Sequence, residues 1–257
     1  MTRFPDSDLT CNDFLGGRVR LWQPRAGYRA GVDPVLLAAS VQARGQQSVL
    51  ELGCGAGAAI LCLMARVPGL QATGVELQME YAELARKNSA ENGETLTVVE
   101  ANLTDLPTGL KQQQFDHVLA NPPYYRAGAH SPATDQGRRL ALGEQTDLVD
   151  WVDVAARRLA PRGYFHMIQK ADRLPDLLAA CSGRLGSVEV LPLAPRANRL
   201  AELVILRARK GGRAAFRLLA PVVLHQGSRH EHDGDSYTAE VSQVLRDGAP
   251  LGGFSTS

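Results

Sequence analysis

A chain of 257 residues is long enough to bury one sizeable core without disulfides or a structural metal. Its 28 Lys and Arg against 27 Asp and Glu leave a formal charge of +1, which excludes a global basic signature and leaves any nucleic-acid partner to local patches. No apolar run approaches the ~20 residues of a membrane span, and Cys11, Cys54, Cys62 and Cys181 show neither C-x-x-C spacing nor a metal-like pairing with histidine, so a cytoplasmic protein with reduced thiols and no membrane contact is expected.

Met1 to Thr10 mixes charge and proline without the apolar stretch of a signal peptide, and residues before about Asn12 read as a poorly ordered arm. Phe14 to Val32 carries Arg18, Arg20, Arg25 and Arg29 and no acid. Gly16-Gly17, Pro24 and Gly27 punctuate it as a hairpin or loop. Asp33 as N-cap and Pro34 as first helical residue open an apolar run, Val35 to Val41. Gln47 to Leu52 is a short apolar strand that meets Gly53-Cys54-Gly55-Ala56-Gly57, and Ala58 to Val67 is a helical run. A second strand, Ala72 to Glu76, ends in an acid about 20 residues past the glycines, where a carboxylate can hold two ribose hydroxyls. A helix from Gln78 stops at Asn92-Gly93, and Thr97 to Glu100 is a third strand, followed by Asn102.

The fourth strand, Phe115 to Ala120, runs into Asn121-Pro122-Pro123-Tyr124. The prolines cannot continue the strand, so the chain leaves the sheet there with a primary amide at its carboxyl edge, where open α/β sheets bind ligands. The amide can grip an amino group, and Tyr124 offers a face for a flat ring. Tyr125 to Thr146, with Arg126, His130, Arg138 and Arg139, has no clear periodicity and reads as a functional loop or lid. Beyond it lie a helix from Leu148 to Leu159, a turn at Pro161-Arg162-Gly163 into strand Tyr164 to Ile168, and a helix from Leu174 to Leu185. Strands at Ser187 to Leu191, Glu202 to Ala208 and Phe216 to Leu224 follow. The alternation argues a mostly parallel sheet covered on both faces. The expected organisation is one domain over residues 1–257, with a basic N-terminal segment at 12–32 and a weakly patterned tail at 226–257.

Gly53-x-Gly55-x-x-Ala58 satisfies a dinucleotide fingerprint, but Glu51 at the strand end would crowd a pyrophosphate and suit a cation instead. Hydride transfer has no use for Asn121-Pro122-Pro123-Tyr124. Glu51 to Gly57 resembles motif I of class I S-adenosylmethionine-dependent methyltransferases, and Asn121 to Tyr124 resembles their amino-methylating motif IV. Gln23 to Leu37 is similar to the segment before motif I in bacterial tRNA adenine-N6 methyltransferases, which act beside the anticodon of a valine tRNA. Ala208 to Arg213 is similar to their C-terminal strand turn.

The resemblance implies a Rossmann-like, seven-stranded, mostly parallel sheet with a C-terminal antiparallel hairpin. It implies S-adenosyl-L-methionine as cofactor, with Glu51, Gly53, Gly55 and Gly57 at its methionine end, Glu76 on the ribose, and Leu77, Asn102 and Asn121 also in contact. Asn102 stands where the family more often has Asp. Asn121 and the Pro122 carbonyl would receive the target amine, and Tyr124 would stack on its ring. Tyr28, Arg126, Arg209, Lys210 and Arg213 are the expected contacts to tRNA or another single-stranded RNA, provided that the basic stretches converge at the sheet edge. The expected reaction is N6-methylation of an adenine in the anticodon loop. Methylation of a protein glutamine amide, DNA adenine methylation and a non-catalytic cofactor- or RNA-binding module are the rivals. No metal is needed: Arg229-His230-Glu231-His232-Asp233 reads as a solvated loop, and His117 and His166 read as core residues.

Overall fold

A computed structural model describes residues 4–124, 146–227 and 236–254. The chain opens with an antiparallel hairpin, β1 (Leu9–Phe14) and β2 (Val19–Pro24), rather than with a disordered arm up to Asn12. Leu9, Leu15, Val19 and Leu21 are buried, and alternate burial along β2 is the mark of a strand with one covered face. Helix α1 (Asp33–Ser40) leads to β3 (Ser48–Leu52), α2 (Ala58–Arg66), β4 (Gln71–Glu76), α3 (Met79–Glu91) and β5 (Leu96–Glu100). A one-turn helix, α4 (Thr108–Lys111), precedes β6 (Phe115–Ala120). After it come α5 (Leu148–Arg158), β7 (Leu159–Lys170), α6 (Leu174–Cys181), β8 (Gly186–Arg196) and β9 (Leu203–Arg209). Two short strands, β10 (Arg217–Leu218) and β11 (Val222–His225), take the place of one strand over Phe216 to Leu224, with Pro221 between them.

The main sheet has the order β10-β8-β9-β7-β6-β3-β4-β5, and β11 also pairs with β8. Strands β7, β6, β3, β4 and β5 are parallel, whereas β9 runs antiparallel to both β7 and β8. The seven strands from β8 to β5 are thus the expected sheet with its antiparallel hairpin, and β10 and β11 extend its edge. The turn read at Pro161-Arg162-Gly163 lies inside β7, where the register with β6 shifts between Phe115 and His117 and Arg162 takes a φ of 70°.

One face of the sheet carries α1, α2 and the described tail; the other carries α5 and α6. Helix α2 is buried from Ala58 to Met64, as befits a helix apolar all round. In α5 only Leu148, Trp151, Val152 and Ala155 are buried, an i, i+3, i+4, i+7 stripe. The tail is more than weakly patterned: Val241, Val244, Leu251 and Phe254 join the core, Leu251 N–H donates to Ala39 O, and Gln42 Nε2 donates to Phe254 O. His117 and His166 are both buried, and burial pushes their imidazoles below the usual range, His117 to about 4. The tract 229–233 lies outside the described residues.

Asn88 and Asn92 of α3 attach the hairpin to the body. Asn88 Oδ1 accepts from Trp22 N at 2.8 Å, and its Nδ2 donates to Trp22 O at 3.0 Å. Asn92 repeats the pattern on Arg20, with both bonds at 2.8 Å. Residues i and i+4 on a helix are about 6 Å apart along its axis, and i and i+2 on a strand about 6.8 Å, so two side-chain amides can stand in for a neighbouring strand. Asn88 Nδ2 also donates to Ala56 O at 2.9 Å, which joins the hairpin, α3 and the glycine turn at one fully buried amide. Asn88→Ala is expected to cost about 2–4 kcal/mol in urea unfolding because it orphans Trp22 and Ala56 groups, and Asn92→Ala, nearer solvent, about 1 kcal/mol.

Candidate active site

The carboxyl ends of β3 and β6 carry the centre of the site. Leu52 pairs with Ala120, so the glycine turn and Asn121 leave the sheet side by side. Gly53, Gly55 and Gly57 all take positive φ, at 64°, 54° and 88°. A Cβ on Gly53 would stand 2.6 Å from the Trp151 ring, so the turn is glycine there by contact as well as by conformation. A Cβ on Gly55 would meet nothing within 4 Å, which leaves open space over the turn. Gly57 is the N-cap of α2.

Glu51 is 2% exposed, and its Oε2 accepts from Ile60 N in the first turn of α2 at 3.0 Å. Burial, with Glu76 nearby, raises its carboxyl well above the usual range. Glu76, at the end of β4, is buried too. Its Oε2 accepts from Gly55 N at 2.8 Å and its Oε1 from Gln78 N at 2.9 Å, so this carboxylate braces the glycine turn from the end of β4. Burial raises its carboxyl as well. The thiols stay protonated, Cys54 pushed well up and Cys62 to about 12 by burial. Leu77 is 51% exposed at the same edge. Asn102 follows β5, and its Oδ1 accepts from Thr104 N at 3.0 Å and Thr104 Oγ1 at 2.9 Å, which leaves its amide hydrogens for a ligand.

Asn121, Glu51, Gly53, Gly55 and Tyr28 line one cleft of about 400 Å³, open mouth included, with Gln23, Ala30 and Pro34 from the hairpin side. Asn121 Nδ2 donates to Tyr28 Oη at 3.5 Å, and Tyr124 Oη donates to Asp33 Oδ2 at 2.5 Å. Pro122 is buried and Pro123 exposed. Gln23 was not singled out from sequence, yet it is 2% exposed and fixes the Tyr28 loop: its Oε1 accepts from Ala30 N at 2.7 Å and its Nε2 donates to Asn12 Oδ1 at 3.3 Å. Its one sequence signal is its place at the head of the Gln23 to Leu37 segment.

Among the described residues the basic stretches do not converge at the Asn121 edge. Arg209 pairs with Tyr164 and Leu203 with Lys170, so antiparallel β9 carries Arg209, Lys210 and Arg213 to the amino edge, opposite Asn121. Arg209 lies level with His117, four strand residues from Asn121, about 13 Å along the strand, and Lys210 and Arg213 lie beyond it. Lys210 Nζ donates to Leu159 O at 2.7 Å and Arg209 Nε to Arg162 O at 3.2 Å. The N-terminal arginines are engaged by the fold: Arg18 binds Asp247 O and Ala65 O, Arg20 pairs with Glu91, Arg25 binds Ser7 O, and Arg29 binds Pro24 O, Thr10 and Asn12. Arg126, His130, Arg138 and Arg139 lie outside the described residues. Among the described residues no helix is long and apolar enough to cross a membrane, and all four cysteines are free.

A buried carboxyl with a raised pKa is costly to ionise. Glu51 therefore contributes its stability below the unfolded value of about 4.3 and loses it as pH rises through the higher folded value. Glu51→Gln is expected to raise the thermal midpoint of the free protein by a few degrees at pH 7.5, at ~2–4 °C per kcal/mol, and to leave it unchanged near pH 4. Calorimetric scans of both proteins at the two pH values check this.

The methyltransferase small domain model matches residues 30–180. A Porphyromonas gingivalis protein named tRNA1(Val) (adenine(37)-N6)-methyltransferase is 32% identical over 185 residues, 66% of this chain and 72% of its own. A Dickeya chrysanthemi protein of the same name is 26% identical over 229 residues, 87% of this chain and 88% of its own. The crystal structure of an Agrobacterium tumefaciens protein described as a predicted O-methyltransferase superposes with a TM-score of 0.68 at 28% identity, covering 84% of this chain and 97% of that one. The T. thermophilus 16S rRNA N2 G1207 methyltransferase, solved with AdoMet and guanosine, shares the fold at a TM-score of 0.55 and 22% identity, over 79% and 50% of the two chains. The chain therefore belongs to the methyltransferase small domain family, and it is a class I S-adenosylmethionine-dependent methyltransferase.

Proposed function

We propose that the chain transfers a methyl group to N6 of an adenine in single-stranded tRNA, in the anticodon loop. The observation that carries the acceptor chemistry is Asn121 on the wall of the cleft that also holds Glu51 and Gly55. The tRNA and the position are supported by the names of the Porphyromonas and Dickeya relatives.

The residues present fit S-adenosylmethionine. Glu51 is a buried carboxyl whose ionised form needs a cation beside it, which the amino group and the sulfonium supply. The open space over Gly55 admits a ligand against the backbone, and the exposed Leu77 offers an apolar surface to the adenine ring. Glu76 keeps a lone pair for the ribose hydroxyls after its backbone bonds from Gly55, Leu77 and Gln78, and the Asn102 amide hydrogens can meet a ring nitrogen. When bound, the cofactor supplies an electrophilic methyl group.

An aromatic amine is a weak nucleophile because its lone pair is delocalised into the ring. Asn121 Oδ1 and the Pro122 carbonyl accept its two hydrogens and draw the nitrogen toward tetrahedral geometry. Positive charge grows on that nitrogen only during transfer, so these acceptors favour the transition state over the ground state. Tyr124 stacks on the base and fixes its approach. The base must leave its stack at a cost of a few kcal/mol, which is smaller in an unpaired loop.

Asn121→Ala is expected to lower the rate of methyl transfer to unmodified tRNA roughly a hundredfold while cofactor affinity holds. Glu76→Ala is expected to weaken cofactor binding by about 1.5–3 kcal/mol in calorimetry. Nucleoside analysis of radiolabelled tRNA tests the reading as a whole: label on N6 of adenine supports it, and label on a ring carbon or a ribose oxygen overturns the amine mechanism. Label only on a supplied glutamine peptide transfers the chemistry to protein.

A further inference from the structure

Asp33 stands outside the motifs that point to methyl transfer. Sequence offers it as a helix cap, yet Val32 takes the N-cap position and Asp33 is the first helical residue of α1. Its carboxylate reaches instead across 91 positions of chain to the Tyr124 hydroxyl, at 2.5 Å. The hydroxyl donates and the carboxyl oxygen accepts. The carboxylate is well anchored: Pro34 restricts the backbone beside it, the first turn of a helix favours negative charge, and α1 is buried from Pro34 to Ser40. Five residues upstream, Tyr28 Oη accepts from Asn121 Nδ2. Both side chains of Asn121-Pro122-Pro123-Tyr124 that would handle an acceptor are therefore tied to the segment Tyr28 to Asp33.

The second torsion of a tyrosine is broad, so stacking on Tyr124 needs something that holds its ring. A para tether fixes where the ring stands. Because the phenolic hydrogen lies in the ring plane, the place of its acceptor also selects that plane. We propose that Asp33 is a positioning residue for the methyl acceptor: by holding Tyr124 Oη it sets the plane on which a flat target stacks while Asn121 holds the amine. This rests on the acceptor chemistry proposed above, in which Tyr124 stacks on the target.

The test is a double-mutant cycle on Asp33→Ala and Tyr124→Phe, the second of which keeps the ring and removes the donor. Each is expected to lower kcat/KM for the acceptor about tenfold or more with cofactor affinity unchanged, and to lower the thermal midpoint by no more than the loss of one hydrogen bond does. The two together should be no worse than either alone, because both break one contact. Asp33→Asn keeps an acceptor oxygen and should recover part of the loss. Additive losses, a lowered midpoint without a kinetic effect, or unchanged kcat/KM in Asp33→Ala would each overturn the proposal. Assays run on unmodified tRNA and on a glutamine peptide, so the contact is scored on whichever takes label. A readout on the free protein needs no acceptor: a slowly exchanging Tyr124 hydroxyl proton should be seen by NMR and vanish in both single variants. Its absence from the wild type overturns the role of Asp33, whereas a wild type that labels neither acceptor defeats the substrate reading alone.

Discussion

The pairing of β3 with β6 is the constraint on which the site depends. Leu52 lies opposite Ala120, and one residue further on each chain leaves the sheet, one as the glycine turn and the other as Asn121. A slip of one residue would exchange the two faces of β6 and take the acceptor amide out of the cleft. Such a slip is costly here because both strands are buried on both faces, so every position of β6 from His117 to Ala120 has a packing partner to lose.

The second half of the cleft is not part of the main sheet. The β1–β2 hairpin and the loop after it supply Gln23, Tyr28 and Ala30, and they are held by side-chain amides and arginines rather than by a ladder to the sheet. Arg20 of that stretch pairs with Glu91, whereas Arg18, Arg25 and Arg29 bind backbone carbonyls and neutral side chains, which fixes their direction and keeps their charge. Arg18 closes the hairpin against the end of α2 and the tail, and Arg29 binds within its own loop. The wall thus presents polar side chains with fixed directions to the cleft.

Much of this was legible in sequence because it is written locally. Strand β6 ends at Ala120 because prolines follow, and α3 ends where Gly93 takes a positive φ of 66°. The glycine turn announces itself by residue type. What stayed hidden depends on contacts between distant parts of the chain. Arg209 and Lys210 look like substrate contacts until the antiparallel course of β9 is known, since nothing in their own neighbourhood states at which edge the strand ends. The part of β1 before Asn12 reads as an arm because the burial of Leu9 comes from residues far along the chain. The tail reads as unpatterned because its helical part, Ala239–Ser242 and the turn on to Asp247, is brief: Val241 and Val244 share one face of it, and Leu251 and Phe254 reach the core from the irregular stretch beyond. Asp33 carries a good local signal for a cap, and the hydroxyl of Tyr124 overrides it.

The paired amides of α3 restrict where the chain can change length. Asn88 and Asn92 face β2 together only because four residues make slightly more than one helical turn. One residue inserted between them would swing the second amide by about 100° and leave it facing away from Arg20. The same insertion beside Gly17, where an added Cβ would meet nothing within 4 Å, would lengthen the turn of the hairpin and leave both amides in register. Insertions and deletions among relatives of this chain should therefore collect at the hairpin tip and spare the five residues from Asn88 to Asn92, although that stretch touches no substrate.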